Sequence, residues 1–159
     1  MRTYNPEQLT MLVILRIVIG WHFLYEGISK LSNANWSAAP YLYDSKGPFA
    51  SLFFWMADHA VILKTVDFLN QWGLVLIGIS LILGLFTTLG KWAAVLLLTF
   101  YYLSHPSIIG VKYAVPTEGS YLIVNKILVE LAAILILIVF PTSRKIGIDR
   151  IIRKIRKKQ

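Results

Sequence analysis

The stretch LRIVIGWHFLYEGISKL, residues Leu15 to Leu31, decides the fold. It lies in a run apolar enough to cross a bilayer, yet it carries Arg16, His22, Glu26 and Lys30. An ionised side chain at the centre of a membrane helix costs about 2.5–3.5 kcal/mol on insertion scales. Four of them in one run require a protein environment on one face of the helix.

The composition agrees with a membrane setting. Of 159 residues, 57% are hydrophobic, against about 45–50% in an ordinary soluble domain. There is no cysteine, which excludes disulfides, thiol chemistry and iron–sulfur ligation by this chain. The net charge of +8 does not make nucleic acid an expected partner, because half of the basic residues fall within the last sixteen positions.

Four runs approach the ~20 residues that a helix needs to cross the ~30 Å hydrocarbon layer. They are Leu9–Ile28, Trp72–Leu89, Trp92–Gly110 and Tyr121–Phe140. Lipid cannot satisfy backbone polar groups, so these spans are expected to be helices. The expected fold is an all-α integral membrane four-helix bundle in a single domain over residues 1–159. The first run has no small-residue cleavage site and is expected to stay with the chain.

Basic residues favour the cytoplasmic side. Arg2, Lys91 and the tail residues Arg144, Lys145, Arg150, Arg153, Lys154, Arg156, Lys157 and Lys158 fall on one side of these spans, and Lys46, Lys64 and Lys112 on the other. Both termini are therefore expected in the cytoplasm, in the cell (inner) membrane. A tight turn at Gly90–Lys91 is expected to join the second and third spans. The tail, residues 144–159, places Ile148, Ile151, Ile152 and Ile155 at helical spacing with basic residues around them. That is the pattern of an amphipathic helix in the headgroup layer, with anionic lipid as its expected partner.

The connection from residue 31 to 71 is too long for a plain loop. One or two short helices are expected on the outer face, with Trp36, Tyr41, Tyr43, Trp55 and Trp72 at the wet–apolar boundary. Composition alone favours a lid that only packs over one that roofs a ligand site.

At 100° per residue, Arg16, Gly20, Phe23, Gly27 and Lys30 share one stripe of the first helix. Glycines on a stripe admit a neighbouring helix closely, so Gly20 and Gly27 are expected against another helix. His22, Glu26 and Lys30 are spaced four apart, within mutual reach. The fourth run contributes Asn125, Lys126 and Glu130, and His105 ends the third just before Pro106. The expected site has Glu26 and Glu130 as proton-carrying carboxylates. Arg16, His22, Lys30, His105, Asn125 and Lys126 would bind the ligand. Intramembrane ionisable groups point to function by default; the competing reading is a structural network that fixes helix register. His22 and His105 lack companion ligands, so no metal site is expected.

The pattern R-x3-G-x2-F-x2-E-G-x2-K from Arg16 to Lys30 resembles the signature of the DoxX/DoxD family. GLFTTLGKWAAVLLL, from Gly84, and GSYLIVNKILVELAAILIL, from Gly119, look similar to the family as well. The resemblance implies a small four-helix membrane protein. It further implies a DoxD-like subunit of a thiosulfate:quinone oxidoreductase, which works with a smaller second subunit and quinone. Other relatives are partners in thiol-stress complexes. Two readings follow: a membrane subunit of a quinone-linked, sulfur-compound-oxidising complex, or a non-catalytic scaffold whose buried charges only fix packing.

Overall fold

The computed structural model describes residues 4–114 and 122–156. Among the described residues the chain is all-helical: α1 Pro6–Leu31, α2 Ala39–Tyr43, α3 Ala50–Asp58, α4 Ala60–Leu83, α5 Thr87–Ser104, α6 Lys126–Val139 and α7 Ile148–Arg156. At 1.5 Å per residue α1 and α4 are each about 36–39 Å long, α5 about 27 Å and α6 about 21 Å. The helix ends have local causes. Asn5 caps α1 by accepting from Glu7 N–H while the Gln8 side chain reaches back to the Asn5 N–H, and Pro6 opens the first turn. Gly84, at φ 66°, stops α4 in the left-handed conformation. Pro106 disfavours helical backbone at His105, where α5 ends.

α1 packs on α4, α4 on α5, α5 on α6, and α6 returns to α1. Between them lies a core of Ile19, Phe23, Leu74, Ile77, Leu81, Ala94, Leu98, Ile134 and Leu137. The α1–α4 crossing is the tightest. A Cβ on Gly78 would stand 2.6 Å from Leu24 N and 2.7 Å from Gly20 O, and one on Gly27 would stand 2.7 Å from Val75 N. Arg16, Gly20, Phe23 and Gly27 are all buried, so the expected stripe is the face that α1 turns to its neighbours. A second small core, Ala38, Leu42, Phe53 and Ala57, joins α2 and α3 to the upper part of the bundle. We call this the roof end, and the opposite end, where α1 starts and α7 lies, the terminal end.

Several expected boundaries move. α4 begins at Ala60 rather than Trp72, so the connection after α1 covers residues 32–59 instead of 31–71. Lys64, Asp67, Asn70 and Gln71 lower the local hydropathy without breaking the helix. Trp72 consequently sits mid-helix. The α4–α5 turn is at Gly84–Phe86, not Gly90–Lys91, and Lys91 is buried within α5, donating to Leu137 O at 2.9 Å. α5 stops at Ser104 rather than continuing to Gly110. α6 starts at Lys126, because the Asn125 side chain accepts from Leu128 N–H at 2.9 Å and caps it. Tyr121, the expected start of the fourth run, lies outside the described residues, as do Arg2, Lys157 and Lys158.

α1 and α4 are long and apolar enough to cross a membrane. Large apolar side chains also face outward, among them Trp21 on α1, Leu76 on α4, Leu96 on α5 and Val129 on α6. Outward apolar faces this extensive suit lipid, not water.

The glycine crossing yields a paired expectation. Gly78→Ala presses a methyl into the α1 backbone and should cost about 1–3 kcal/mol, in the range of overpacked cores. Gly73→Ala, where nothing lies within 4 Å of the added carbon, should be neutral or stabilising by up to about 1 kcal/mol through helix propensity. Unfolding in detergent, followed by circular dichroism, measures both.

Candidate functional site

At the roof end Lys30, from the last turn of α1, enters the bundle beneath Trp36. Its Nζ donates to Asn70 Oδ1 on α4 at 3.0 Å and to the Tyr101 hydroxyl on α5 at 3.3 Å. Tyr101 in turn donates to Asn70 Oδ1 at 2.9 Å. The ammonium also lies 5.3 Å from the Trp36 ring centre and 5.5 Å from that of Tyr101, within cation–π range. Glu26, one turn earlier, approaches Lys30 only to 3.9 Å, and its side chain is 45% exposed. The charge of Lys30 is thus held chiefly by neutral groups.

Asn70 and Tyr101 form the polar wall of a cavity of about 390 Å³ between α4, α5 and the roof. The rest of its lining is almost wholly apolar, with Leu42, Phe53, Ile77 and Leu97 among its residues. Gly73 belongs to this lining, and the open space beside it is part of the cavity. Asn70 Oδ1 is occupied twice, while its Nδ2 donates to no group among the described residues. The connection that composition favours as a packing lid therefore walls a cavity.

A second polar pair lies on a different side of α1, toward α6. His22 Nδ1 is 2.7 Å from Glu130 Oε1 on α6, and the carboxylate accepts from the Nδ1–H tautomer. The side chains are 35% and 12% exposed. Glu26 and Lys126 are near enough to act electrostatically on His22. The pair fixes α6 against α1 about two helix turns, roughly 12 Å, before Lys30, and neither member lines the cavity.

His105 belongs to a third group, reached from Lys30 through aromatic rings. Tyr41 meets Tyr101 edge-on at 5.8 Å and stacks on His105 at 3.8 Å, and its hydroxyl donates to Tyr101 O at 3.3 Å. His105 Nδ1 is 3.0 Å from Ser104 Oγ, which also hydrogen-bonds Ser45 Oγ. His105 Nε2 faces Asp44 Oδ2 at 3.8 Å, beyond hydrogen-bond distance. Burial pushes the imidazole below its ordinary pKa, against the opposing pull of Asp44. Burial likewise pushes the Tyr41 phenol up, so it stays protonated.

The structure does not bring Arg16 into this end. Arg16 is buried at the terminal end, donating through Nη1 to Thr142 Oγ1 at 3.1 Å and Ile146 O at 2.9 Å. Its depth, about ten residues into α1, separates it from Lys30 by four helix turns. Beside it, Asp149 binds the start of α5, accepting from Phe86 N–H at 2.9 Å and from the Thr87 hydroxyl at 3.1 Å. Burial by itself would raise the Asp149 pKa. Hydrogen bonds from Phe86, Ser143 and Thr87 outweigh it and hold the carboxyl below its ordinary value. Asn125 is an α6 cap whose side-chain oxygen is committed to Leu128.

Of the sequence-predicted residues, then, Glu26 and Lys30 meet, and His22 meets Glu130 with Lys126 nearby. His105 stands apart behind Tyr41, and Arg16 and Asn125 serve elsewhere. Asn70, Tyr101 and Tyr41 are the functional candidates that sequence reasoning missed. Asn70 carried a usable signal as an amide on the inward face of a long apolar helix. No three His, Asp or Glu side chains gather around one point among the described residues.

An all-helical architecture among the described residues, with lipid-suited outer faces, a half-buried lysine network and a largely apolar cavity, defines a membrane protein. Residues 11–106 match the DoxX family, more than half of the chain, and the protein belongs to that family. No curated protein and no solved structure matches it.

The His105 environment predicts a pH dependence. The unfolded chain takes up a proton near the ordinary histidine value of 6.5, while folded His105 does so only at lower pH. The unfolded state then binds more protons, so stability falls as pH drops through that window and is fully present above it. Melting temperatures of wild type and His105→Gln should diverge in slope below about pH 6.5, with the variant flatter.

Proposed function

We propose that the protein is the membrane subunit of a quinone-linked redox complex, with α1, α4, α5 and α6 crossing the inner membrane as a four-helix bundle. Both termini and α7 lie in the cytoplasm, by the basic-residue asymmetry, and the roof of α2 and α3 lies outside. The observation that carries this reading is the cavity of about 390 Å³ whose apolar lining ends at Asn70 and Tyr101. A long apolar chain with a polar ring at one end matches that lining: the chain along Leu42, Phe53, Ile77 and Leu97, and a ring oxygen at the free Asn70 Nδ2. Quinone, when bound, supplies the capacity to accept two electrons. The chain has no cysteine, so a second subunit is the proposed donor side, consistent with oxidation of a sulfur compound there.

Within this reading Asn70 positions the ligand oxygen, the charge of Lys30 behind it favours that oxygen, and Tyr101 sets the position of Asn70. Glu26, half-exposed and beside Lys30, carries protons between the outer solution and the lysine network. Glu130 and His22 form a separate outward-facing pair that exchanges a proton across 2.7 Å. The scaffold reading draws on the same pair: a closed carboxylate–imidazole contact between α1 and α6 is also what a purely structural tie would look like.

Quinone binding to the complex purified from native membranes tests the proposal. Asn70→Leu should weaken binding by about tenfold, the worth of one hydrogen bond to a ligand, and should lower the melting temperature as well, because Lys30 and Tyr101 lose their shared acceptor. Glu130→Gln should keep binding and lower quinone reduction. Unchanged quinone affinity in Asn70→Leu, together with no quinone in the purified complex, would establish the scaffold instead.

A further inference from the structure

We propose that the terminal end carries a specific site for one anionic glycerophospholipid, formed where α7 and the segment before it fold against the start of α5. A cavity of about 510 Å³ lies there. Phe86, Leu89 and Trp92 supply its apolar wall, and they are 67%, 74% and 56% exposed. Arg144 and Arg153 supply its cationic rim. Neither arginine makes a hydrogen bond or ion pair among the described residues. Arg150, by contrast, donates to Lys145 O at 3.1 Å.

The charge around this cavity is out of balance. Arg16 and Lys91 are 3% and 5% exposed just inside it. Asp149 is the one carboxylate among the described residues that acts on both. Its oxygens are already engaged with Phe86 and Thr87. Asp149, which also lines the cavity, thus answers Arg16 and Lys91 with oxygens already committed, Arg144 and Arg153 have no carboxylate in contact among the described residues, and Arg16 Nε is buried without a partner. A phosphate at the Arg144–Arg153 rim supplies the missing negative charge through guanidinium hydrogen bonds. The source is a lipid headgroup rather than free phosphate, because the wall beneath the rim is apolar, outward-facing and continuous with the lipid-suited face of α5. Acyl chains descend along Leu89 and Trp92 while the phosphate stays at the rim. This inference is independent of the quinone reading and needs only that α5 borders lipid.

The test titrates the full chain in non-ionic detergent with phosphatidylglycerol or phosphatidylcholine, counting bound lipid by native mass spectrometry. One phosphatidylglycerol should bind saturably, about tenfold or more tighter than phosphatidylcholine. Arg144→Gln with Arg153→Gln should remove about tenfold or more of that affinity. Arg150→Gln with Lys154→Gln removes the same charge away from the cavity and should change affinity by less than about twofold. Equal losses in the two double variants would mean diffuse attraction and overturn the site. Displacement of the lipid by inorganic phosphate at comparable concentration would overturn the lipid assignment. Should the first double variant melt early, Arg153→Gln alone, an exposed change on α7, gives the same comparison against Lys154→Gln.

Discussion

The close approach of α1 and α4 at Gly20, Gly27 and Gly78 governs the rest of the molecule. Between helices in lipid there is little hydrophobic drive, because the tails are as apolar as leucine, and surface packing decides the contact. Here three missing side chains let backbone meet backbone, and Ile19 and Phe23 enter the core beside Leu74, Ile77 and Leu81. The same contact fixes where the cations of α1 arrive. Lys30 is delivered to Asn70, on the facing side of α4. Arg16 is delivered to the end of α4, where Gly84 leaves it room: a Cβ there would stand 3.2 Å from Arg16 Nη2. One crossing thus sets both polar ends.

The inward stripe of α1 was legible because period and chemistry agree. Charged residues and glycines at 3.6-residue spacing in an apolar run have one consistent placement, and Arg16, Gly20, Phe23 and Gly27 occupy it. The start of α4 was not legible by hydropathy, since a polar residue in a helix lowers the average whether or not it has a partner. Asp67 accepts from Ala38 N–H at 2.7 Å and Asn70 from Lys30, so both are accommodated inside the fold. Gly84 was a better stop signal than the loss of apolar residues at Gly90–Lys91. Its positive φ closes α4 while Lys91 continues α5 and reaches the Leu137 carbonyl.

The site divided where the sequence suggested one cluster. Helical depth alone places His22, Glu26, Lys30, Lys126 and Glu130 together, but depth does not specify side. His22 lies about 80° around α1 from Lys30, enough to turn one toward α6 and the other toward α4 and α5. The partners that distinguish those sides, Asn70 and Tyr101, are 40 and 71 positions from Lys30 in the chain. No local pattern links them. Asn125 has a local role that its amide did not signal as a ligand group: at the first turn of an apolar run its side-chain oxygen caps α6.

The two ends solve buried positive charge differently, and the difference bears on function. At the terminal end Arg16 has a hydroxyl, a carbonyl and the field of Asp149, and α7 is thereby anchored to the α4–α5 turn. At the roof end Lys30 has an amide oxygen, a phenol and two ring faces, with its nearest carboxylate at 3.9 Å and half in the open. Neutral donors and acceptors orient a cation without cancelling it. A carboxylate at hydrogen-bond distance, such as Glu130 offers His22, closes a polar pair between two helices. Lys30 instead stands behind an amide and a phenol that form the polar wall of an apolar cavity, so its field reaches a ligand oxygen placed there. The two α1 pairs thus differ within a single helix: one is closed on its own partner, and the other is left electrostatically open beside a cavity.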